Sequence, residues 1–451
     1  MILKLGISAS GIWKRPRGFH WLAKVIEGAR FRDGVATHEK DTRTGVFKRS
    51  LGPRFHHSSN EMPRRVALLA LILAVAEAAY AGEIQSIREL EPAARLRLAE
   101  QANAKRGIII SREVEEAMLR SMEGKFSWFY TYSLHPRGFY DWANRVGVEF
   151  VPMLWGGTVV REDGTKCDLP GPDGSARREG APEQAVKPRP EFRRQLPAYG
   201  PLCKGGADEI RAVLSTVISR LRVKPRYLLG FNEPWGSNQS NLSPREAAWM
   251  WGQYVQPVAK ALNLTLVSPT VAVHRKAKRW FADFLKACHD EPLCDPESIG
   301  RLSIHSYHCQ DATWVREFSS RLQHFDRELG SLLQKYGDVE WGRFLAARPI
   351  WVTETNCNHE FERTEPVRSS TDTCLRMTGQ KNDSRWRAGS LMLFVTLSRI
   401  ERFSWWTTYS ADARGEVVMA KLVNASGDLT PAGKAFFDFP NVNHETCAIH
   451  E

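Results

Sequence analysis

What the chain lacks narrows its function first. No cysteine pair combines short Cys-x-x-Cys spacing with histidine partners, so a structural zinc site is not expected. No segment repeats internally, which sets aside solenoids and propellers. The apolar run Val66 to Ala76 spans eleven residues, too few to cross a bilayer comfortably. Nor is the net charge of +12 concentrated where a fold would carry it. Residues 1–61 hold 12 Lys/Arg against 5 Asp/Glu and residues 62–81 hold 2 against 1, which leaves 49 against 45 for the remainder. A balance of +4 over 370 residues is no footprint for nucleic acid, which needs a dense basic face. Neither a metal nor a cofactor is called for, and no nucleic-acid partner.

What is present is a chain able to bury a large core. Hydrophobic residues make up 42% and charged residues 25%, ordinary values for a folded protein. Fifteen tryptophans are many, and indole faces stack on sugar rings as well as on core side chains. From Met62 the order is a basic pair, Arg64 and Arg65, then the apolar run, then small residues at Ala79 and Ala81. This is the layout of a secretory signal cleaved after Ala81, with an uncleaved signal anchor as the alternative. Residues 1–61 read as an unstructured upstream extension, translation starting at Met62. All eight cysteines follow the signal, an even count that favours disulfides in an exported chain. Cys288 with Cys294 is the best local pair, and Cys167 with Cys203 is suited to pinning a long loop.

Two stretches carry the chemistry. In YLLGFNEPW, Tyr227 to Trp235, a buried strand of apolar residues and glycine ends abruptly in Asn232 and Glu233, and Pro234 stops the ladder. The carboxyl group stands between Phe231 and Trp235, a half-apolar setting of the kind that favours a protonated general acid. In RPIWVTETNC, Arg348 to Cys357, a second apolar strand delivers Glu354. Two carboxylates on separate strands are the minimum equipment for glycosidic cleavage, one protonating the leaving oxygen while the other attacks or activates water.

The surrounding pattern alternates strand and helix eight times. Strands are expected at 107–111, 128–133, 148–155, 227–231, 264–268, 299–307, 350–353 and 400–407, with helices including 208–221, 245–262, 280–288, 314–336 and 385–397. The reading is α/β, a single (β/α)8 barrel with long βα loops at 156–206 and 358–383, and both glutamates at carboxyl ends of strands, where barrel enzymes keep their chemistry. The expected layout is a lead-in helix at 82–104, the barrel at 105–440 and a tail at 441–451.

With these residues in view the chain resembles glycoside hydrolase family 128, secreted β-1,3-glucanases of the clan A barrels. The matching motifs are KRGIII (105–110), FVPMLWG (150–156), LLGFNEPW (228–235), LVSPTV (266–271), LSIHSY (302–307), IWVTET (350–355) and LVNASGDLTPAGKAF (422–436). The resemblance implies retaining hydrolysis of β-1,3-glucan, with Glu233 as acid/base, Glu354 as nucleophile and Asn232 contacting the sugar 2-hydroxyl. Two positions depart from it: Trp235 stands where the family carries an acidic residue, and Ser306 where it carries Trp. Further substrate contacts are expected from Trp155, Trp235, His305, Tyr307, Trp405 and Trp406, one of the adjacent tryptophans having to face the barrel wall. The expected partner is a β-glucan and the expected state a secreted or wall-associated monomer, without membrane insertion once the signal is cleaved. Rival functions are an inactive β-glucan-binding or wall-associated barrel and a β-glucan transglycosylase.

Overall fold

The computed structural model describes residues 91–172, 174, 201–272, 275–307, 327, 348–356, 374, 390–409 and 421–441. The upstream extension, the signal, the helix expected at 314–336 and most of the 358–383 loop lie outside them. Eight parallel strands form the centre: β1 (Arg106–Ile109), β2 (Trp128–Tyr130), β3 (Glu149–Phe150), β4 (Tyr227–Leu229), β5 (Thr265–Val267), β6 (Ile299–Ser306), β7 (Ile350–Thr355) and β8 (Ile400–Trp405). Their hydrogen-bonded order is β3-β2-β1-β8-β7-β6-β5-β4. A parallel bridge from Met153 to Leu229 joins the two ends. There the Leu229 amide donates to Pro152 O (2.9 Å) and the Leu154 amide to Leu229 O (3.0 Å). The sheet is therefore a closed (β/α)8 barrel, and every strand named from the apolar runs lies in it. Pro152, with no amide to donate, keeps β3 short and leaves this last seam to a few bonds.

Side-chain alternation sorts the core into two compartments. Ile109, Trp128, Tyr130, Val151, Met153, Leu229, Val267 and Trp351 fill the barrel interior. Ile108, Phe129, Phe150, Leu228, Leu266, Ile304 and Phe403 face outward to the helices. The helical layer includes α1 (Pro92–Lys105), α2 (Tyr140–Val146), α3 (Ala207–Arg220), α4 (Pro244–Met250), α5 (Arg275–Asp290), α6 (Ser390–Thr396) and α7 (Pro431–Asp438). The turn Ser243-Pro244 starts α4 with a reciprocal cap, Ser243 accepting from the Glu246 amide while Glu246 reaches back to the Ser243 amide. α4 continues through a π turn, Trp251–Val255, into a further helical segment, Gln256–Ala261.

The 156–206 segment corrects one expectation. Thr158–Val160 and Lys166–Asp168 pair as an antiparallel hairpin, too short to show as an apolar period. Cys167 and Cys203 are bonded, as are Cys288 and Cys294. Among the described residues no helix is long and apolar enough to cross a membrane.

Candidate active site

The carboxyl ends of β4, β6 and β7 bring three ionisable groups together. Past β4, the Asn232 amide donates to Trp155 O (2.9 Å), tying the chain to the end of β3. Glu233 then adopts φ = 41°, the left-handed region, where a residue with a side chain is held at a cost of about 1–3 kcal/mol. A turn that returns Ser240 N–H to Asn232 O (3.2 Å) and Gly236 N–H to Glu233 O (2.9 Å) imposes it.

Glu354 is aimed by a different device. β7 and β6 pair Val352 with Ile304 and then Glu354 with His305, so Thr353 is an extra residue and the strand bulges. The same slip recurs toward β8, where Val352 pairs with Phe403 and Thr355 with Trp405. Strict alternation would send Glu354 outward after the inward Thr353. The bulge lets both serve the interior.

His305 stands between the two carboxylates. Its Nδ1 is 2.8 Å from Glu233 Oε1 and its Nε2 is 3.4 Å from Glu354 Oε1, the first a hydrogen bond and the second an ion-pair distance. The imidazole is wholly buried, while the side chains of Glu354 and Glu233 are 5% and 12% exposed. Tyr132 donates to Glu354 Oε1 at 2.6 Å, and Tyr307 donates to Glu354 Oε2. Burial raises the Glu354 carboxyl above the usual range, His305 pulls it back, Glu233 pushes it up, and the two tyrosines again lower it. The direction is upward. Burial would lower His305, but the Glu354 and Glu233 carboxylates outweigh it and hold the imidazole above its ordinary value. Tyr132 and Tyr307 are raised well above theirs by burial and by the Glu354 charge, so both remain donors.

The predicted site residues divide. Glu233, Glu354, His305 and Tyr307 meet in one cluster. Asn232 lies beside it, its Nδ2 donating to Gln239 Oε1 (3.1 Å). Its Oδ1 is buried without a hydrogen-bond partner among the described residues, which leaves an acceptor for a substrate hydroxyl. Trp406 is half-buried, joins the interior compartment and meets Tyr307 edge-on at 6.0 Å. Trp155 is half-buried at the same interior rim. Trp235 is half-buried against the outer compartment, with the Lys276 ammonium 5.8 Å from its ring. Trp405 is a correction: it is fully buried, tilted against Phe436 of α7 at 5.9 Å, and cannot meet a sugar. Alternation along β8 explains the pair, Ser404 and Trp406 pointing in while Phe403 and Trp405 point out. Tyr132 is the member that the sequence reading missed. Alternation in WFYTYS marks Trp128 and Tyr130 as barrel lining, but Tyr132 lies beyond the end of β2 and is placed by its left-handed backbone.

The family model for the glycosyl hydrolase catalytic core matches residues 107–170 and 200–436. No curated protein matches the chain. Among solved structures, it is similar to a subgroup II endo-β-1,3-glucanase of glycoside hydrolase family 128 from Sorangium cellulosum, at 22% identity over 75% of this chain and 100% of that one, TM-score 0.44. A subgroup II endo-β-1,3-glucanase of the same family from Pseudomonas viridiflava gives 20% identity over 75% and 99%, TM-score 0.49. A curdlan-specific exo-β-1,3-glucanase from Blastomyces gilchristii, solved with glucose, gives 22% over 75% and 99%, TM-score 0.44.

Proposed function

The chain belongs to the glycosyl hydrolase catalytic core family, and from that premise we propose that it is a retaining glycosidase of β-1,3-glucan in which Glu233 is the acid/base and Glu354 the nucleophile. The observation that carries the assignment is His305 in contact with one carboxylate from β7 and one from the turn after β4, which places them at opposite nitrogens of one imidazole ring. The β-1,3 linkage follows from the resemblance of the motifs to family 128. The proposal includes export through the signal at 62–81 and a catalytic barrel at 105–440.

In the first step Glu354 attacks the anomeric carbon as Glu233 protonates the leaving oxygen, and in the second Glu233 takes a proton from water that releases the glycosyl group. Glu354 must be ionised to attack, and burial works against this. Tyr132 and Tyr307 supply the compensating donors, and His305, 3.4 Å away, supplies compensating charge. With Glu354 ionised, the proton that Glu233 delivers is held between its Oε1 and His305 Nδ1, and it can rest on either without changing the charge of the cluster. Asn232 Oδ1 accepts from the sugar 2-hydroxyl, an interaction that strengthens in the transition state. Trp406 offers a ring at the rim for a glucose face.

The test uses the secreted form on laminarin and curdlan. Glu233→Gln and Glu354→Gln should each abolish reducing-end release while oligosaccharide binding persists. The released sugar, followed by proton NMR, should appear first as the β-anomer, and a 2-fluoro glycoside should label Glu354. Appearance of the α-anomer would overturn retention. A wild-type chain that binds but releases nothing from any β-glucan would leave a binding barrel.

A further inference from the structure

We propose that Tyr130 and Tyr132 of the β2 strand and its carboxyl end act as a two-point clamp that positions Glu354, one residue on its carboxylate and the other on the bulge beneath it. This rests on the hydrolase reading above, which needs Glu354 ionised and fixed in orientation.

The first contact is direct. Tyr132 donates to Glu354 Oε1 at 2.6 Å while Tyr307 holds Oε2, so the carboxylate is gripped at both oxygens and cannot rotate freely. Tyr132 makes this bond from φ = 55°, a conformation that an aromatic residue adopts only where surrounding structure enforces it. The second contact is indirect. Thr353 is the extra residue of the β7 bulge, and its carbonyl accepts from Tyr130 OH at 2.9 Å and from Ser404 Oγ. Those donors supply the hydrogen bonding that a bulged residue loses from the ladder. The two phenol rings meet edge-on, 5.1 Å between centroids at 75°, so the fully buried Tyr130 also braces the strained Tyr132. Tyr132 therefore acts on the charge of Glu354 and Tyr130 on the backbone that aims it. The ionisable groups facing Glu354 are His305, Glu233, Tyr132 and Tyr307, with Tyr130 behind them.

Phenylalanine substitutions separate the two roles. Tyr132→Phe removes a hydrogen bond to a charged group and should lower kcat by about ten- to a hundredfold, with KM changed by less than about threefold. It should also move the acid limb of the kcat/KM profile to higher pH. Tyr130→Phe leaves Ser404 on the Thr353 carbonyl and should lower kcat by about fivefold with the acid limb unmoved. Titration of the Glu354 carboxyl by 13C NMR, its resonance assigned with Glu354→Gln, should show an upward shift in Tyr132→Phe alone. Near-UV circular dichroism checks that both variants keep the fold. If Glu354 titrates in Tyr132→Phe as in the wild type, the clamp is refuted, whatever the activity. If the titration shifts but the wild type hydrolyses no β-glucan, the clamp stands and the hydrolase reading falls.

Discussion

Replacing His305 with Phe removes a group that touches both carboxylates while keeping a ring of similar size. Glu354 is then buried with Glu233 as its neighbour and no cation between them. Breaking a buried ion pair from one side costs about 3–5 kcal/mol. An independent ceiling comes from proton uptake, because Glu354 can always escape by becoming neutral. Holding a carboxyl protonated at pH 7 against an ordinary value near 4.3 costs about 2.7 pH units, or roughly 3.7 kcal/mol. At pH 5 the same ceiling is roughly 1 kcal/mol. The loss of stability in His305→Phe should therefore grow from pH 5 to 7, by at most about 1.4 kcal/mol per pH unit, since the wild type loses part of the same stability as pH rises. In the wild type, His305 and Glu354 both titrate above their unfolded values. A raised group stabilises fully below its unfolded pKa and loses that contribution as pH rises through its folded one, so this pair makes the native chain more stable at mildly acidic pH than above neutrality. Urea unfolding of both proteins at pH 5, 6 and 7 supplies the difference directly. A destabilisation of equal size at all three pH values would show that His305 is only filling space, and the electrostatic account of the site would be refuted.

Three further outcomes are expected. A Cβ on Gly230 would lie 2.9 Å from Pro269 N and 2.7 Å from Trp251, so Gly230→Ala should cost about 1–3 kcal/mol in denaturant unfolding and lower kcat by displacing Glu233 three residues on. The Cys167–Cys203 link closes a separation of 36 residues and Cys288–Cys294 one of 6, so paired Cys→Ala replacement should cost roughly 1.5 kcal/mol more for the first than for the second in the same assay. Glu149→Gln should destabilise by about 3–5 kcal/mol, because Arg402, 8% exposed and 2.5 Å from Glu149, loses its counter-charge. Burial opposes ionisation of Glu149, yet hydrogen bonds and charge from Arg226 and Arg402 hold its carboxyl below the usual range. Its contribution is thus present at neutral pH and lost as pH falls through that lowered value, and melting curves of variant and wild type should converge in acid.

The strands were legible because each is an apolar run closed by a breaker, and burial on both faces is what a parallel barrel demands of its strands. The polar run after Glu354 marked where β7 ends, whereas β4 stops at Leu229, and it is a turn before Pro234, not the strand itself, that carries Glu233 to the active face. Local pattern could not reveal the bulge at Thr353, since an inserted residue shows only against the partner strands. Period-two counting alone would have turned Glu354 away from His305. Tyr132 was hidden for a related reason: nothing in WFYTYS announces that the chain leaves β2 in a left-handed conformation and swings a phenol across to β7. The hairpin at 158–168 escaped because three-residue strands carry no measurable period.

The two ends of the barrel use the same residue types to opposite effect. At the amino-terminal end Glu149 meets Arg226 and Arg402, and Glu401 meets Arg301 at 2.9 Å. The Arg402 guanidinium lies 4.5 Å from the Trp351 ring and 4.8 Å from that of Tyr227. Burial opposes ionisation of both carboxyls there, and arginine overrides it, so both are held below the ordinary range. At the carboxyl end the cation in contact, among the described residues, is an imidazole shared between two carboxylates, and Glu354 is held above the range instead. A guanidinium fixes a carboxylate as a permanent anion, suited to closing the floor of a barrel. A histidine leaves the proton free to move between partners at mildly acidic pH, which acid/base chemistry requires and structural pairing does not. Placing Arg at 305 would therefore keep the charge and the fold's preference for a cation there, but should abolish turnover by fixing both carboxylates as anions. A His305→Arg variant that hydrolysed β-glucan at the wild-type rate would show that the shared proton has no part in the reaction.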